Sequence, residues 1–151
     1  MKVRDLMVRD VVSCTADTDL ARAAEMMHLH NCGALPVVDA SGRVYGMVTD
    51  RDICMGVAPR HLPPAHIAVR EVMARPIHAC GPDEEVASVL NLMRTHGVRR
   101  LPVIDDEGHL EGIVSVSDVV RADGHAGVPE TVILDTLCVL SARGQRPVAA
   151  G

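Results

Sequence analysis

Two stretches of this sequence set a hydroxyl and a carboxylate at the same spacing: Thr49-Asp50-Arg51-Asp52 and Ser115-Val116-Ser117-Asp118. Each lies where an apolar, strand-like run gives way to a helix-like one. A helix start presents unpaired N–H groups to an anion, a hydroxyl there can donate to a phosphate oxygen, and a carboxylate can accept both hydroxyls of a ribose. The same residues also approximate a capping box, with Asp in place of the usual Glu or Gln. Spacing alone supports both readings, and one does not exclude the other.

Cationic groups are distributed unevenly around these two stretches. Arg99 and Arg100 precede Leu101-Pro102-Val103, whereas Gly33 and Ala34 precede Leu35-Pro36-Val37; Arg51 lies inside the first stretch. Taken singly, each of these arginines is equally consistent with solvated surface charge. Eight histidines raise the question of metal binding. His28 and His30 are two apart and would point to different sides of a helix, His61 and His66 fall in a proline-rich stretch, and His96 closes a helix near its negative end. No His-x-x-x-His or His-acid cluster emerges, so no metal site is expected. No spacing suggests a nucleophile held by a base and an orienting group, so no enzymatic activity is expected.

These stretches belong to a unit written twice. Val3–Gly56 aligns on Val69–Ala122 without a gap, with identities at Met7/Met73, Cys14/Cys80, Asp17/Asp83, Leu35-Pro36-Val37/Leu101-Pro102-Val103, Asp39/Asp105, Gly42/Gly108, Gly46/Gly112 and Asp52/Asp118. Two copies are too few for an open solenoid and imply a closed, pseudo-two-fold pair. Each copy reads as strand, helix, strand, strand, helix. A first strand, Val11–Cys14 or Ile77–Cys80, precedes a helix opened by Asp17 or by Pro82-Asp83. Leu20, Ala23, Ala24 and Met27 fall on one face of the first helix, as do Val86, Val89, Leu90 and Met93 in the second copy. The hairpins run Leu35–Val38 to Val44–Val48 and Leu101–Ile104 to Leu110–Val114, with Gly42 and Gly108 suited to the turns. Helices Asp50–Met55 and Val116–Arg121 complete the copies. The expected fold is mixed α+β: repeat 1 over residues 1–56, an extended proline-rich linker over 57–68, repeat 2 over 69–122, and a C-terminal helix with a frayed tail over 123–151. The helix spans Pro129–Ala142, and its apolar residues Ile133, Leu134, Leu137 and Leu140 should be covered.

Bulk properties narrow the function classes. The 151 residues carry a net charge of −5, against a nucleic-acid surface. Tyr45 is the only Phe, Trp or Tyr, so stacking platforms for single strands are missing as well. No apolar run suits a membrane span and no secretory signal opens the chain. The five cysteines form no Cys-x-x-Cys pair. They read as buried small hydrophobes in a reducing cytoplasm, with Cys14 and Cys80 sharing one packing slot.

On Leu-Pro-Val-Val-Asp (35–39), Leu-Pro-Val-Ile-Asp (101–105), the two strand-to-helix stretches with Gly46 and Gly112, and Met7 and Met73, the sequence resembles a tandem pair of cystathionine-β-synthase (CBS) domains, the Bateman module. The resemblance covers about four-fifths of the chain. It implies a stand-alone, non-catalytic sensor that needs no cofactor and binds an adenosyl ligand such as AMP, ADP or ATP in the cleft between two repeats. Thr49, Asp52, Ser115 and Asp118 would meet ribose and phosphate, Arg99 and Arg100 the phosphates, and Arg51 would partly compensate in the first copy. Pro36 and Pro102 would line the sites, and aliphatic groups and backbone around Val12, Ile77 and His78 would grip adenine. It further implies a homodimer and an unidentified protein target. S-adenosylmethionine or NAD as ligand, and a structural or dimerisation module without nucleotide, are the alternatives.

Overall fold

A computed structural model describes residues 1–122 and 127–142. In the first copy, α1 spans Leu20–Leu29, β1 Ala34–Val38, β2 Val44–Thr49 and α2 Asp50–Val57; in the second, α3 spans Val86–His96, β3 Arg100–Ile104, β4 Leu110–Ser115 and α4 Val116–Arg121. A further helix, α5, covers Glu130–Ala142. The expected tail lies outside the described residues. The two sheets are antiparallel pairs, β1–β2 and β3–β4. Register in the first places Ala34 opposite Thr49 and Pro36 opposite Met47, with an irregularity between Val37 and Val38. Gly42 and Gly108 adopt φ of +86° and +88°, which only glycine takes without strain.

The expected leading strands shrink to single parallel bridges, Cys14 to Val37 and Cys80 to Val103. Pro36 and Pro102 explain part of this pattern. Proline offers no N–H, but its carbonyl accepts from the Cys14 N–H (3.0 Å) and the Cys80 N–H (3.1 Å).

The chain divides into two compact units, neither of which is a continuous copy. One comprises Asp10–Ile77 with Asp106–Leu110; the other comprises Met1–Arg9, His78–Asp105 and the described residues from Glu111 to Ala142. In the first unit, Leu20, Ala23 and Met27 of α1 join Cys14, Leu35, Val37, Val48, Ile53, Ile67 and Val69 in one core. Ala24, expected on the same stripe, is exposed. The linker is not simply extended: α2 runs into it, Pro64–His66 forms a 3-10 turn, and Ile67 is buried. The turn of the second hairpin belongs here, with the Val44 N–H donating to the Gly108 carbonyl at 3.0 Å. Asp39 holds its own turn. Its Oδ1 accepts from the N–H of Ser41 and Arg43 and from the Ser41 hydroxyl, and these bonds, the hydroxyl's first, keep its carboxyl below the usual range.

In the other unit, Val86, Val89, Leu90 and Met93 of α3 are all buried, as the spacing predicts. They share a core with Cys80, Leu101, Val103, Val114, Val116 and Val119, and with Val3 and Met7 from the far end of the sequence. α5 packs on α3 and α4. Only part of its expected apolar face is covered: Leu140 is buried and Ile133 partly so, but Leu134 and Leu137 are exposed. Thr136 is buried instead, its hydroxyl satisfied by the Val132 carbonyl at 2.7 Å, and Asp135 pairs with Arg94 at 2.7 Å.

The helix starts also differ from expectation. α1 is capped by Asp19, whose carboxylate accepts from the Arg22 N–H at 2.8 Å, and α3 begins after Glu85 without a side-chain cap. Asp17 and Asp83 are engaged elsewhere: Asp17 pairs with Arg70, and Asp83 with Arg4. Each copy's first residues therefore reach the helix-entry loop of the other. The Val69 and Arg70 N–H groups donate to Thr18 and Ala16 (2.8 and 3.0 Å), and those of Val3 and Arg4 donate to Glu84 and Pro82 (3.0 and 2.9 Å).

Candidate ligand-binding junctions

In the first copy, β2 passes into α2 with no residue between them. Thr49 is extended (φ −113°, ψ 162°), so its side chain can turn back over the helix start. Its oxygen accepts from the Asp52 N–H at 3.1 Å, and Asp52 Oδ2 accepts from the Thr49 N–H at 2.8 Å. The capping box read from the spacing is thus fully formed. Asp50 anchors the start through its N–H to the Gly33 carbonyl at 3.1 Å. Arg51 is exposed between the two aspartates. Pro36 is buried, and Val12 packs partly buried against the same core.

The second copy repeats this arrangement. Ser115 accepts from the Asp118 N–H at 3.3 Å, Asp118 Oδ2 accepts from the Ser115 N–H at 2.8 Å, and the Val116 N–H donates to the Arg99 carbonyl at 3.0 Å. That last bond sets Arg99 beside the box, with Arg100 opening β3 next to it. Neither guanidinium has an ion-pair partner among the described residues. Pro102 is buried in β3, and His78 lies two residues before the Cys80 bridge.

One expectation changes in detail. Both hydroxyls donate to the carboxylate beside them, Thr49 to Asp52 Oδ2 at 2.8 Å and Ser115 to Asp118 Oδ2 at 2.6 Å. Their protons are committed to the box, so neither is free for a phosphate in this arrangement. The remaining acceptor at each junction is Oδ1, and here the copies part. Asp118 Oδ1 accepts from Arg121 at 2.5 Å, with the Asp118 side chain only 11% exposed. Asp52 Oδ1 has no partner among the described residues, and the position equivalent to Arg121 is Met55. Arg121 went unnoticed in the sequence, although its i,i+3 spacing from Asp118 is the signal that finds it.

The twelve residues singled out fall into two groups. Thr49, Arg51, Asp52, Val12, Pro36 and Ile77 belong to the unit Asp10–Ile77; Ser115, Asp118, Arg99, Arg100, Pro102 and His78 belong to the other. Ile77 and His78, adjacent in sequence, therefore end up in different units.

His78 stacks on His96, ring centroids 3.6 Å apart and planes 17° from parallel. Desolvation first, and the neighbouring imidazole second, lower the His78 pKa below its ordinary 6.5. The folded state then binds fewer protons than the unfolded chain, so this contribution is present above the ordinary value and is lost as pH falls from about 6.5 toward the lowered one. Thermal melts across that window should show a shallower loss of stability in His78→Gln than in the parent, and parallel curves would remove the stack from the account. Among the described residues no group of three or more His, Cys, Asp or Glu could hold a metal ion.

The cysteines are free, but not uniformly buried as expected. Cys14 and Cys80 are buried, and burial raises their thiols to about 11 and about 12, which keeps them protonated and inert. Cys54 and Cys138 are exposed. No helix among the described residues is long and apolar enough to cross a membrane.

Comparison with known proteins sets these junctions in a family. The CBS domain profile matches residues 3–58 and 69–125. A 17.7 kDa protein of Acidianus ambivalens is 35% identical over 121 residues, 80% of this chain and 72% of that protein. An inosine-5'-monophosphate dehydrogenase of Methanocaldococcus jannaschii is 28% identical over 120 residues, but the chain spans only 23% of that enzyme. Among solved structures, the CBS domain pair of protein MJ0100, in complex with 5'-methylthioadenosine and S-adenosyl-L-methionine, superposes with a TM-score of 0.75 at 27% identity, covering 82% of this chain and 96% of that one. Hypoxic Response Protein I, solved with two coordinated zinc ions, gives 0.74 at 32% identity, covering 85% and 100%. With two profile matches in tandem, a mixed α+β fold and superposable solved pairs, the chain belongs to the CBS-domain family and carries two CBS domains.

Proposed function

We propose that this protein is a non-catalytic regulatory module that binds an adenosyl ligand, AMP, ADP or ATP, at a strand-to-helix junction and passes the bound state to a protein target. The observation that carries this reading is the second junction. A preorganised carboxylate, Asp118, stands beside Arg99 and Arg100, whose guanidiniums have no ion-pair partner among the described residues. A carboxylate suits ribose hydroxyls and arginines suit phosphate oxygens. The adenosyl ligands held by the solved MJ0100 pair support the same class. We further propose a homodimer in the cytoplasm, in keeping with described cysteines that are all unbridged.

A structural module without nucleotide is the second reading. It is favoured by the capping boxes, which already use both hydroxyls. Calorimetry with AMP, ATP, S-adenosylmethionine and NAD separates the two, because a structural module binds none of them. Replacing Arg99 and Arg100 by Ala should weaken ATP and AMP more than adenosine, with a difference that shrinks at high salt. Equal losses for all three would indicate a folding defect rather than lost phosphate contacts.

A further inference from the structure

The two junctions carry the same box but opposite surroundings. At the first, Arg51 sits between Asp50 and Asp52, Gly33 and Ala34 stand where the second copy has Arg99 and Arg100, and Ala34 lies opposite Thr49 in the sheet. Formal charge there is −1. At the second, Arg99, Arg100 and Arg121 outnumber Asp118, and Val116 replaces the acidic Asp50. Formal charge there is +2. The carboxylates themselves are in different states. Asp52 Oδ1 has no partner among the described residues, whereas Asp118 Oδ1 is held by Arg121 at 2.5 Å.

Resting on the adenosyl-ligand reading above, we propose that the copies take different charge classes: the first the uncharged nucleoside, the second only its phosphorylated forms. A ribose reaching Asp52 meets an acceptor that no described residue occupies, and an added phosphate there would face net negative charge without a neighbouring strand arginine. A ribose reaching Asp118 must compete with Arg121 for Oδ1 and weaken that ion pair, which an uncharged nucleoside cannot compensate. A phosphorylated ligand can, because its phosphate gains Arg99 and Arg100 and attracts Arg121. Arg121 is thereby the specificity determinant of the second copy, and Met55 is its counterpart in the first.

The test exchanges these two residues. Both are surface positions, Met55 62% exposed and the Arg121 side chain 72% exposed, so neither substitution touches a core. Calorimetry of the full chain uses adenosine and AMP as probes. In the parent, adenosine should occupy one site that Asp52→Asn removes, and AMP one that Asp118→Asn removes. Met55→Arg should weaken adenosine by about two- to fivefold, the range of an exposed ion pair, and leave the Asp118-dependent AMP site unchanged. Arg121→Met should let adenosine enter the second copy, raising its stoichiometry toward two. If Asp52→Asn and Asp118→Asn each weaken both probes alike, the adenosyl reading stands and the charge-class assignment is overturned. The assignment also falls if the exchanges leave adenosine affinity and stoichiometry unaltered. If the parent and all variants bind neither probe, both readings fall together.

Discussion

Deleting residues 1–9 is expected to unfold the second copy and spare the first. Val3 is fully buried and Met7 nearly so, and both lie in the core built around α3, β3 and β4. Each such side chain contributes about 1.5–3 kcal/mol by burial. The deletion also removes the Val3 and Arg4 N–H bonds to Glu84 and Pro82, and the paired bonds between Val8 and Ile113, both 2.9 Å. Several kcal/mol is a large fraction of the 5–15 kcal/mol that typically separates folded from unfolded chains. Hydrogen exchange resolved by peptide should therefore show protection lost in α3, β3 and β4 and kept in α1 and α2. Loss concentrated in α1 and α2, the neighbours in sequence, would contradict the packing described.

Gly112→Ala should cost far more than Gly46→Ala, although the two glycines are equivalent in the repeat. A Cβ on Gly112 would lie 2.8 Å from the Val8 backbone carbonyl and 3.0 Å from Met7 Sδ. The carbonyl is fixed by its bond from Ile113 and cannot retreat. A Cβ on Gly46 would lie 2.7 Å from Met73 Sδ, the far part of a flexible side chain, and 3.4 Å from Val37 Cβ. Overpacking against fixed atoms costs about 1–3 kcal/mol. The gain from a stiffer unfolded chain, about 0.4–1 kcal/mol, can largely offset the milder case. Denaturant melts of the two variants would settle the order, and equal midpoints would show that the Val8 segment yields as easily as a methionine.

The repeat makes most of this fold legible in the sequence itself. Hairpins bounded by Gly42 and Gly108, the buried stripe of α3 and the boxes at Thr49 and Ser115 follow from local spacing, which needs only neighbouring residues to act. What spacing could not reveal was the destination of the leaders. Identity at Asp17/Asp83 reads naturally as helix capping, because an acid near a helix start has a local explanation. The actual partners, Arg70 and Arg4, lie in the other copy, and their own identity in the repeat was the overlooked clue. Gly46 and Gly112 have the same kind of reason, each standing under a leader methionine. The candidate sites followed this division. Thr49, Asp52, Ser115, Asp118 and Arg99 gather at their junctions through local bonds, while Ile77 and His78 separate where the chain passes from one unit to the other. Leu134 and Leu137 diverge from expectation because α5 seats itself through Leu140, Thr136 and Ile133.

The reciprocal leaders also bear on how such a chain could have arisen. A polypeptide with a single copy would have one leader and one acceptor loop, and the geometry that closes it here would require a second molecule to supply the missing piece. Joining two copies by residues 57–68 turns that bimolecular step into an internal one, governed by the effective concentration the tether sets instead of by protein concentration. Duplication in this lineage would then have replaced an obligate pairing with self-sufficiency. The converse follows for laboratory use: halves separated within 58–63 should reassemble on mixing, each the template on which the other completes its core.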